Sequence, residues 1–252
     1  MMKNAFDLTG KVAVVTGGTR GIGKGIALGL AAAGADIVLV QRSNDTSTQD
    51  EIKALGVRCE IVDCDLINLE EVKQVIPKAI EAMGTVDILV NNAGIQRRSP
   101  AVDFSEQDWD DVITVNLKSV WILCQQAGRH MVEKKSGKII NIASLVSFQG
   151  GLFVPAYTSA KGAVGQLTKA LANEWSSQGV NVNAIVPGYI ATEMNTALID
   201  DPVRSRQILE RIPAGRWGNP EDFKGPALFL ASEASNYVHG HLLAVDGGWL
   251  GR

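Results

Sequence analysis

Three residues have the types and spacing for proton transfer at a carbonyl group: Tyr157, Lys161 one helical turn later, and Ser144 thirteen residues before the tyrosine. A tyrosine has an ordinary pKa of about 10 and is a poor acid or base near neutrality. An ammonium group at i+4 on the same helix face favours the phenolate. We therefore expect Tyr157 to exchange the proton, while Ser144 holds the substrate oxygen beside the phenol.

A glycine-rich loop near the N-terminus predicts a site for a dinucleotide. An apolar run ends at Thr16, and Gly17, Gly21 and Gly23 follow with a Gly-x-x-x-Gly-x-Gly spacing before a helix rich in alanine and leucine. Glycines let a backbone turn tightly and approach a pyrophosphate, whose charge a helix N-terminus stabilises. The residues that we expect to contact the cofactor here are Gly17, Thr19, Arg20, Gly21, Ile22 and Gly23.

The residues after the second apolar run indicate which nicotinamide cofactor is bound. An acidic residue at this place would bind a free ribose 2′-hydroxyl, but the chain has Gln41, Arg42 and Ser43. Arg20 and Arg42 can form a fork for a 2′-phosphate, because guanidinium groups match phosphate oxygens with paired donors. The alternative is that both are solvated surface arginines. We predict that NADP(H) is preferred and that NAD(H) is possible.

Three further segments follow apolar runs and are predicted to complete the cofactor site. Asp65 and Leu66 would lie near the adenine, although Asp65 is almost as suited to capping the next helix. Small residues in 91–94 would let a ribose lie against the backbone, and residues 187–192 would close over the nicotinamide, unless Pro-Gly marks a simple turn. The predicted contacts are Asn92, Ala93, Gly94, Pro187, Gly188, Ile190 and Thr192, together with Tyr157 and Lys161.

Seven short apolar runs alternate with helix-length segments along the chain, at residues 11–16, 35–40, 58–62, 86–90, 138–143, 180–186 and 241–245. Near-continuous apolar strands between helices are typical of a parallel sheet that is covered on both faces. We predict an α/β fold, a single-domain doubly wound parallel seven-stranded sheet of Rossmann type with helices on both faces. The domain would span residues 1–252, with a mobile substrate flap at about 191–216.

The composition excludes several classes of function. A formal net charge of −3 gives no electrostatic reason to bind nucleic acid or an anionic membrane. The three cysteines lack metal-type spacing, which predicts reduced thiols and no metal site. The N-terminus lacks the apolar core of a signal peptide, and no apolar stretch approaches the roughly 20 residues of a membrane span. A cytoplasmic protein that acts on a small molecule is expected.

Together these motifs resemble the short-chain dehydrogenase/reductase family over the whole chain. The resemblance rests on residues 16–23 and 91–94, Asn116, Ser144, Tyr157 with Lys161, and the pair Pro187 and Gly188. It implies that Tyr157 is the general acid/base, that Lys161 lowers its pKa and binds the nicotinamide ribose, and that Ser144 orients the carbonyl. Asn116 would hold a water that links Lys161 to solvent. The implied reaction is hydride transfer between a nicotinamide and a secondary alcohol or ketone.

A narrower resemblance is to the sugar-acid dehydrogenases, a group that includes the 2-deoxy-D-gluconate 3-dehydrogenases. It rests on residues 138–144, 147–151, 211–218 and 244–250, and on residues 95–98. The chain departs from NAD-preferring members of this group at Gln41 and Arg42. A sugar acid needs a cation for its carboxylate, for which Arg97 or its neighbour Arg98 is a candidate. The other candidate substrate contacts are Gln96, Gln149 and Tyr189.

Other functions and an assembly state follow from the same patterns. The alternative enzymes are a broad carbonyl reductase and a 3-oxoacyl-carrier-protein reductase, and the alternative of another class is a non-catalytic nucleotide-sensing module. The apolar C-terminal segment has little sequence left to cover it, which suggests burial against another subunit. The resemblance implies a homotetramer with two-fold axes.

Overall fold

A computed structural model describes residues 4–252. Seven parallel strands form one sheet in the order β3-β2-β1-β4-β5-β6-β7. The strands are β1 Val12–Thr16, β2 Asp36–Gln41, β3 Cys59–Asp63, β4 Ile88–Asn91, β5 Gly137–Ile142, β6 Val180–Pro187 and β7 Leu242–Val245. The predicted fold class is confirmed.

The helices cover both faces of the sheet. They are α1 Gly21–Ala32, α2 Ser47–Ala54, α3 Leu69–Val72, α4 Val75–Met83, α5 Glu106–Ile113, α6 Ser119–Lys134, α7 Pro155–Trp175, α8 Thr196–Ile199, α9 Pro202–Arg211 and α10 Lys224–Ala231. None of the helices in residues 4–252 combines the length and the apolar character that crossing a membrane requires.

Alternate residues of each central strand enter opposite halves of the core. Val12 and Val14 of β1 pack in a cluster with α4, α6 and α7, whereas Ala13 and Val15 pack in a second cluster with α1 and α10. All five residues of β1 are buried, as are all eight of β6. Burial on both faces explains why these strands are continuous apolar runs instead of alternating ones.

The helical stretch from Glu106 to Lys134 is interrupted. Ser105 caps α5 by accepting a hydrogen bond from the Asp108 N–H, and one π-helical turn, Thr114–Lys118, separates α5 from α6. Such π turns occur frequently at functional sites. The extra residue of the turn places Asn116 inside the protein, where it is fully buried.

From β1, the chain adds β2 and β3 on one side of the sheet and then adds β4 to β7 on the other side, so that the strand order reverses between β1 and β4. The segments that follow neighbouring strands on the two sides of such a point separate and leave a crevice at the carboxyl edge of the sheet. Apart from Tyr157 and Lys161 of α7, the segments that the sequence assigns to cofactor binding follow strands at this edge. The fold therefore brings the predicted cofactor-binding segments from distant parts of the chain to one edge of the sheet.

Close packing of α6 on α7 generates a stability prediction. A Cβ atom at Gly128 would lie 2.6 Å from the buried ring of Trp175. Because a rigid aromatic ring cannot yield easily, we expect Gly128→Ala to lower the free energy of unfolding by about 1 to 2 kcal/mol, despite the better helix propensity of alanine. Urea unfolding followed by circular dichroism measures the change.

Gly150 provides the matched control, because no atom of residues 4–252 outside its immediate neighbours lies within 4 Å of its Cβ position. Gly150→Ala should change the free energy of unfolding by less than about 0.5 kcal/mol. Equal stability of the Gly128→Ala variant and the wild type would contradict the packing described for α6 and α7.

Candidate active site

The glycine-rich loop adopts a conformation and a packing that require glycine at several of its positions. Gly17 and Gly21 have φ angles of +63° and +51°, which side-chain-bearing residues rarely adopt. A Cβ atom at Gly23 would lie 2.2 Å from the Gly17 carbonyl oxygen and 2.3 Å from Asn92 Nδ2. The backbone of the loop is thus in close contact with the end of β4.

The end of β4 is tied to this loop by hydrogen bonds. Thr16 Oγ1 accepts from the N–H groups of Asn92 and Ala93, each at 3.0 Å. Asn92 Nδ2 donates to the carbonyl oxygens of Thr16 and Gly17 at 3.0 and 3.1 Å. Asn92 therefore fixes the distance between the ends of β1 and β4. Its side-chain amide nitrogen is hydrogen-bonded to other groups of the protein.

The beginning of α1 fits a bound phosphate. Arg20 precedes the helix, and among the described residues no side chain caps it. Its first turn contains Gly21, Ile22 and Gly23 and carries no acidic group. Uncapped N–H groups and the helix dipole form an anion site, and the glycine cradle leaves room for a pyrophosphate. The residues present thus fit a dinucleotide.

The two arginines predicted to hold a 2′-phosphate both lie beside carboxylates. Arg20 donates to Glu193 Oε2 at 2.6 Å, and Arg42 Nη1 lies 3.7 Å from Asp65 Oδ2. Gln41 is buried and its Nε2 donates to the carbonyl oxygens of Ser43 and Asp45 at 2.6 and 2.8 Å. Gln41 thereby holds the loop that carries Arg42 and Ser43.

At the end of β3, Asp65 does not cap the next helix, because the N-cap of α3 is Asn68, whose side chain accepts from the Glu70 N–H. Asp65 Oδ1 accepts a hydrogen bond from the Ile67 N–H at 3.1 Å, which forms a turn before α3. Leu66 packs against the core. One carboxylate oxygen of Asp65 is occupied in this way, and the other is the one that faces Arg42.

The segment after β6 lies over the beginning of α1. The Gly188 N–H donates to the Val245 carbonyl oxygen at 3.0 Å, and a Cβ atom at Gly188 would meet Asp246 Cα at 2.6 Å. Buried Ile190 forms a bridge with Gly218. Thr192 Cγ2 lies 3.4 Å from the Cβ position of Gly21. The turn at Pro187 is therefore a tightly packed support, and Thr192 reaches the glycine loop.

Lys161 and Tyr157 project from the first turns of α7 towards the end of β5. Lys161 is buried, and its Nζ donates to the Ile142 carbonyl oxygen at 2.6 Å and lies 5.7 Å from the centroid of the Tyr157 ring. Ser144 follows β5 and its Oγ accepts from the Val146 N–H at 3.4 Å, and hydrogen bonding by Ser144 lowers the pKa of Tyr157. The three residues of the sequence prediction thus meet at one point.

Burial changes the proton affinities of this group. Desolvation lowers the pKa of Lys161 to about 8, because the ammonium group loses contact with water. Desolvation also raises the pKa of Tyr157, while the Ser144 hydrogen bond and the positive charge of Arg98 act in the opposite direction. The protein alone therefore keeps Tyr157 as a phenol, and neighbouring groups that favour the phenolate partly offset the burial.

Asn116 supports the backbone that passes beside Lys161. Its Oδ1 accepts from the Ile95 N–H and its Nδ2 donates to the Ile95 carbonyl oxygen, both at 2.8 Å. A Cβ atom at Gly94 would lie 3.0 Å from Asn116 Oδ1 and 3.9 Å from Lys161 Nζ. Asn116, Gly94 and Lys161 are therefore neighbours.

Ser147 is a site residue that sequence reasoning missed. Its hydroxyl donates to the Lys161 carbonyl oxygen at 2.7 Å and accepts from the Ser144 N–H at 3.3 Å. It thereby joins the loop that carries Ser144 to the helix that carries Lys161. A serine three residues after Ser144 was the available signal, since Ser144 begins a capping box.

The two candidate arginines after β4 have different partners. Arg97 Nε donates to Asp108 Oδ1 at 3.1 Å, on the side of α5. Arg98 donates to Gln96 Oε1 at 3.1 Å, and its charge is the one that acts on Tyr157. Of the two, Arg98 is thus better placed to meet an anionic group near the phenol.

Gln149 and Tyr189 meet at the C-terminal segment. Trp249 Nε1 donates to Gln149 Oε1 at 3.4 Å, and the Trp249 and Tyr189 rings have centroids 4.7 Å apart. Arg211 lies 4.0 Å above the Trp249 ring, a cation–π arrangement. The contacts of Trp249 with Gln149, Tyr189 and Arg211 were not predicted from the sequence. Nothing in the local pattern indicates them, because each contact joins distant parts of the chain.

Metal binding is not indicated in residues 4–252, where no three histidine, cysteine, aspartate or glutamate side chains form a cluster suited to an ion. Cys59, Cys64 and Cys124 are buried free thiols, and desolvation raises the pKa of each. They lack the electropositive, accessible surroundings that make a thiol reactive.

Known proteins share this architecture over their full length. The chain is 54% identical to 2-dehydro-3-deoxy-D-gluconate 5-dehydrogenase of Pseudoalteromonas atlantica, with 100% of both chains covered. A crystal structure from Agrobacterium tumefaciens, provisionally assigned as a 2-deoxy-D-gluconate 3-dehydrogenase and holding NADP, is 50% identical, with a TM-score of 0.94 over 99% of this chain and 100% of that chain. A gluconate 5-dehydrogenase of Burkholderia cenocepacia, in complex with NADP and tartrate, is 40% identical, with a TM-score of 0.94 over 98% of each chain.

A family comparison agrees with these similarities. The sequence model described as enoyl-(acyl carrier protein) reductase, which represents one branch of short-chain dehydrogenases, matches residues 17–250. The match includes the glycine-rich loop and the residues Ser144, Tyr157 and Lys161. The chain therefore belongs to the short-chain dehydrogenase/reductase family.

Proposed function

We propose that this protein is an NADP(H)-preferring oxidoreductase that interconverts a secondary alcohol and a ketone on a sugar acid. The observation that carries the proposal is the meeting of Ser144, Tyr157 and Lys161 beside a glycine cradle that fits a dinucleotide. The whole-length similarity to sugar-acid dehydrogenases supports the substrate class.

Each residue of the triad has a separate task. When bound, the nicotinamide accepts or supplies the hydride. Tyr157 exchanges the proton with the substrate oxygen, and Ser144 holds that oxygen by donating a hydrogen bond. A pair of donors at the oxygen stabilises the negative charge that develops during reaction. Lys161 supplies a nearby positive charge that favours the phenolate and a donor for the ribose.

Asn116 and Ser147 maintain this arrangement without exchanging the proton. Asn116 fixes the backbone at Ile95, beside the Lys161 ammonium group, and is proposed to support the water-linked path from Lys161 to solvent. Ser147 holds the Ser144 loop against α7. A displacement of the reacting groups by about 1 Å is enough to slow such a reaction strongly.

The cofactor preference rests on the loop after β2. Arg42 and Ser43 are exposed there, Arg20 lies at the beginning of α1, and the strand ends in Gln41 in place of a carboxylate. The relatives from Agrobacterium tumefaciens and Burkholderia cenocepacia hold NADP. NAD(H) would bind the same cradle through its pyrophosphate and is expected to be a weaker cofactor.

The substrate would lie between the Ser144 loop and the flap at residues 191–216, which contains α8 and α9. We propose that Arg98 meets its carboxylate, because the charge of Arg98 already acts at Tyr157. Gln96, Arg97, Gln149 and Tyr189 are proposed to contact or to shape the remainder of the pocket. A closed flap would exclude water from the reacting groups.

A cytoplasmic homotetramer is the proposed form of the enzyme. Trp109 of α5 and Trp121 of α6 are each 39% exposed, and β7 is only half-buried at the edge of the sheet. Burial of such apolar surface against further copies would stabilise an assembly with two-fold axes. The three free thiols are compatible with a reducing compartment.

Reduction of the 3-oxo group of an acyl-carrier-protein substrate is one alternative, and the family description supports it only by naming an acyl-carrier substrate. Faster turnover of 3-oxoacyl thioesters than of sugar acids would support that alternative. A broad carbonyl reductase would instead favour simple ketones. A non-catalytic nucleotide sensor is disfavoured because Asn116, Ser144, Tyr157 and Lys161 are all present.

The proton-exchange role of Tyr157 predicts the effect of removing one oxygen atom. Tyr157→Phe should lower kcat by at least about 1000-fold while the Kd for NADPH changes by less than about twofold, because the phenol acts on the substrate and not on the phosphates. Steady-state kinetics and fluorescence titration measure the two quantities. Tyr237→Phe, at a side chain that is 99% exposed, is the control. Retained turnover in Tyr157→Phe would overturn the mechanism.

The positive charge of Arg98 predicts a shift in pH dependence. Because this charge lowers the pKa of Tyr157, Arg98→Gln should raise that pKa and move the pH midpoint of alcohol oxidation, which needs the phenolate, to a higher value. The KM for the sugar acid should also rise by about tenfold or more. Steady-state kinetics measured from about pH 6 to about pH 10, in steps of about 0.5 pH unit, test both effects.

Arg97→Gln serves as the matched control, since Arg97 is paired with Asp108 at 3.1 Å. We expect this variant to keep the pH midpoint of the wild type. If Arg97→Gln shifts the midpoint and Arg98→Gln does not, the assignment of the two arginines is reversed.

A further inference from the structure

An ion pair joins the beginning of α1 to the segment after β6. Arg20 Nη1 donates to Glu193 Oε2 at 2.6 Å, across 173 residues of sequence. The two side chains are 77% and 74% exposed, so both atoms remain accessible to solvent and to a ligand. The guanidinium group proposed to bind a phosphate is thus already engaged by a carboxylate of the protein itself.

Glu193 is held at this place by its neighbours. Thr192, directly before it, lies against Gly21, and Asn195 Nδ2 donates to the Ile190 carbonyl oxygen at 2.9 Å. Glu193 begins the short 3₁₀ turn Glu193–Asn195. The residues on both sides of Glu193 are therefore anchored, which keeps the Glu193 backbone beside the beginning of α1.

The second arginine of the predicted fork is less strongly engaged. Arg42 lies 3.7 Å from Asp65, which is beyond hydrogen-bonding distance, and Asp65 also accepts from the Ile67 N–H. The contact of Arg20 with Glu193 is shorter and directly hydrogen-bonded. Of the two carboxylates, Glu193 is the one that competes for a phosphate-binding guanidinium.

We propose that Glu193 is a cofactor-specificity residue that weakens the binding of NADP(H) relative to NAD(H) by competing with the 2′-phosphate for Arg20. This inference rests on the proposed nicotinamide-dependent function. A 2′-phosphate must displace the carboxylate from Arg20 and then remain close to its negative charge. NAD(H) carries a hydroxyl at that position and needs no displacement.

The strength of an exposed ion pair limits how much Glu193 can change the affinity for NADP(H). An exposed ion pair contributes little to stability, and its loss changes an equilibrium by about fivefold at most. Residual repulsion between the carboxylate and a phosphate near the surface is screened by salt and adds to the effect mainly at low ionic strength. Glu193 therefore reduces the preference for NADP(H) without abolishing it, which leaves NAD(H) usable.

The test is a double-mutant cycle on cofactor binding. The Kd values for NADPH and NADH are measured by fluorescence titration of the full-length wild type, Glu193→Gln, Arg20→Gln and the double variant. We expect Glu193→Gln to tighten NADPH binding by about three- to fivefold and to leave the NADH Kd within about twofold. In the Arg20→Gln background at about 0.15 M salt, Glu193→Gln should change the NADPH Kd by less than about twofold, because the competition acts through Arg20 and the residual repulsion is screened.

Glu210→Gln is the control, because Glu210 lies in the same flap and faces Arg206 at 3.6 Å. This variant should leave both Kd values unchanged. An equal change in NADPH and NADH affinity in Glu193→Gln, an unchanged NADPH Kd, or a gain that persists without Arg20 would each overturn the inference. A wild type that binds neither nucleotide would instead overturn the proposed function on which the inference depends.

Discussion

The burial of the Lys161 ammonium group is the constraint on which the rest of the site depends. Its change in pKa from an ordinary 10.5 to about 8 corresponds to roughly 3 kcal/mol in favour of the neutral amine. The fold partly offsets this cost with the Ile142 carbonyl oxygen at the end of β5, and it places the phenol of Tyr157 one turn away on α7. A bound group that favours the charged amine would raise the pKa of Lys161, and one that favours the phenolate would lower the pKa of Tyr157. Groups with perturbed pKa values of this kind are typical of sites where a proton is exchanged near neutral pH.

The sheet topology brings this proton-exchange group to the dinucleotide cradle. The ends of β1 and β4 are locked together by Thr16, Asn92 and Gly23, where a single methyl group at the glycine would collide with the Gly17 carbonyl. The next strand, β5, delivers Ser144 and the Ile142 carbonyl beside them. The proposed pyrophosphate site at the beginning of α1 and the proposed substrate site at Tyr157 thus lie along the same carboxyl edge of the sheet. The glycine-rich loop and Ser144 are separated by more than a hundred residues of sequence. The parallel strands nevertheless bring them to the same edge of the sheet.

Sequence reasoning succeeded where backbone geometry restricts residue type. Glycines at Gly17 and Gly23 and the seven apolar runs are required by close approach and by burial on both faces, so their spacing predicts the fold and the cradle. The π turn around Asn116 could not be predicted, because its local sequence continues a helical pattern. Arg97 and Arg98 have different surroundings because Asp108 of α5 pairs with Arg97. The partners of Arg20, Gln149 and Tyr189 come from distant segments. Contacts of this kind are properties of the tertiary structure, and local patterns carry no signal for them.

Initial-rate kinetics with NADP(H) and NAD(H) in parallel, using gluconate-type sugar acids and simple ketones as substrates, tests the central claim most directly. The structure predicts sugar-acid turnover with a kcat/KM for NADP(H) at least about tenfold above that for NAD(H), a difference of about 1.4 kcal/mol. It also predicts that simple ketones are poorer substrates, because they offer no carboxylate to Arg98. Faster turnover of simple ketones than of sugar acids, or a tenfold preference for NAD(H), would contradict the account.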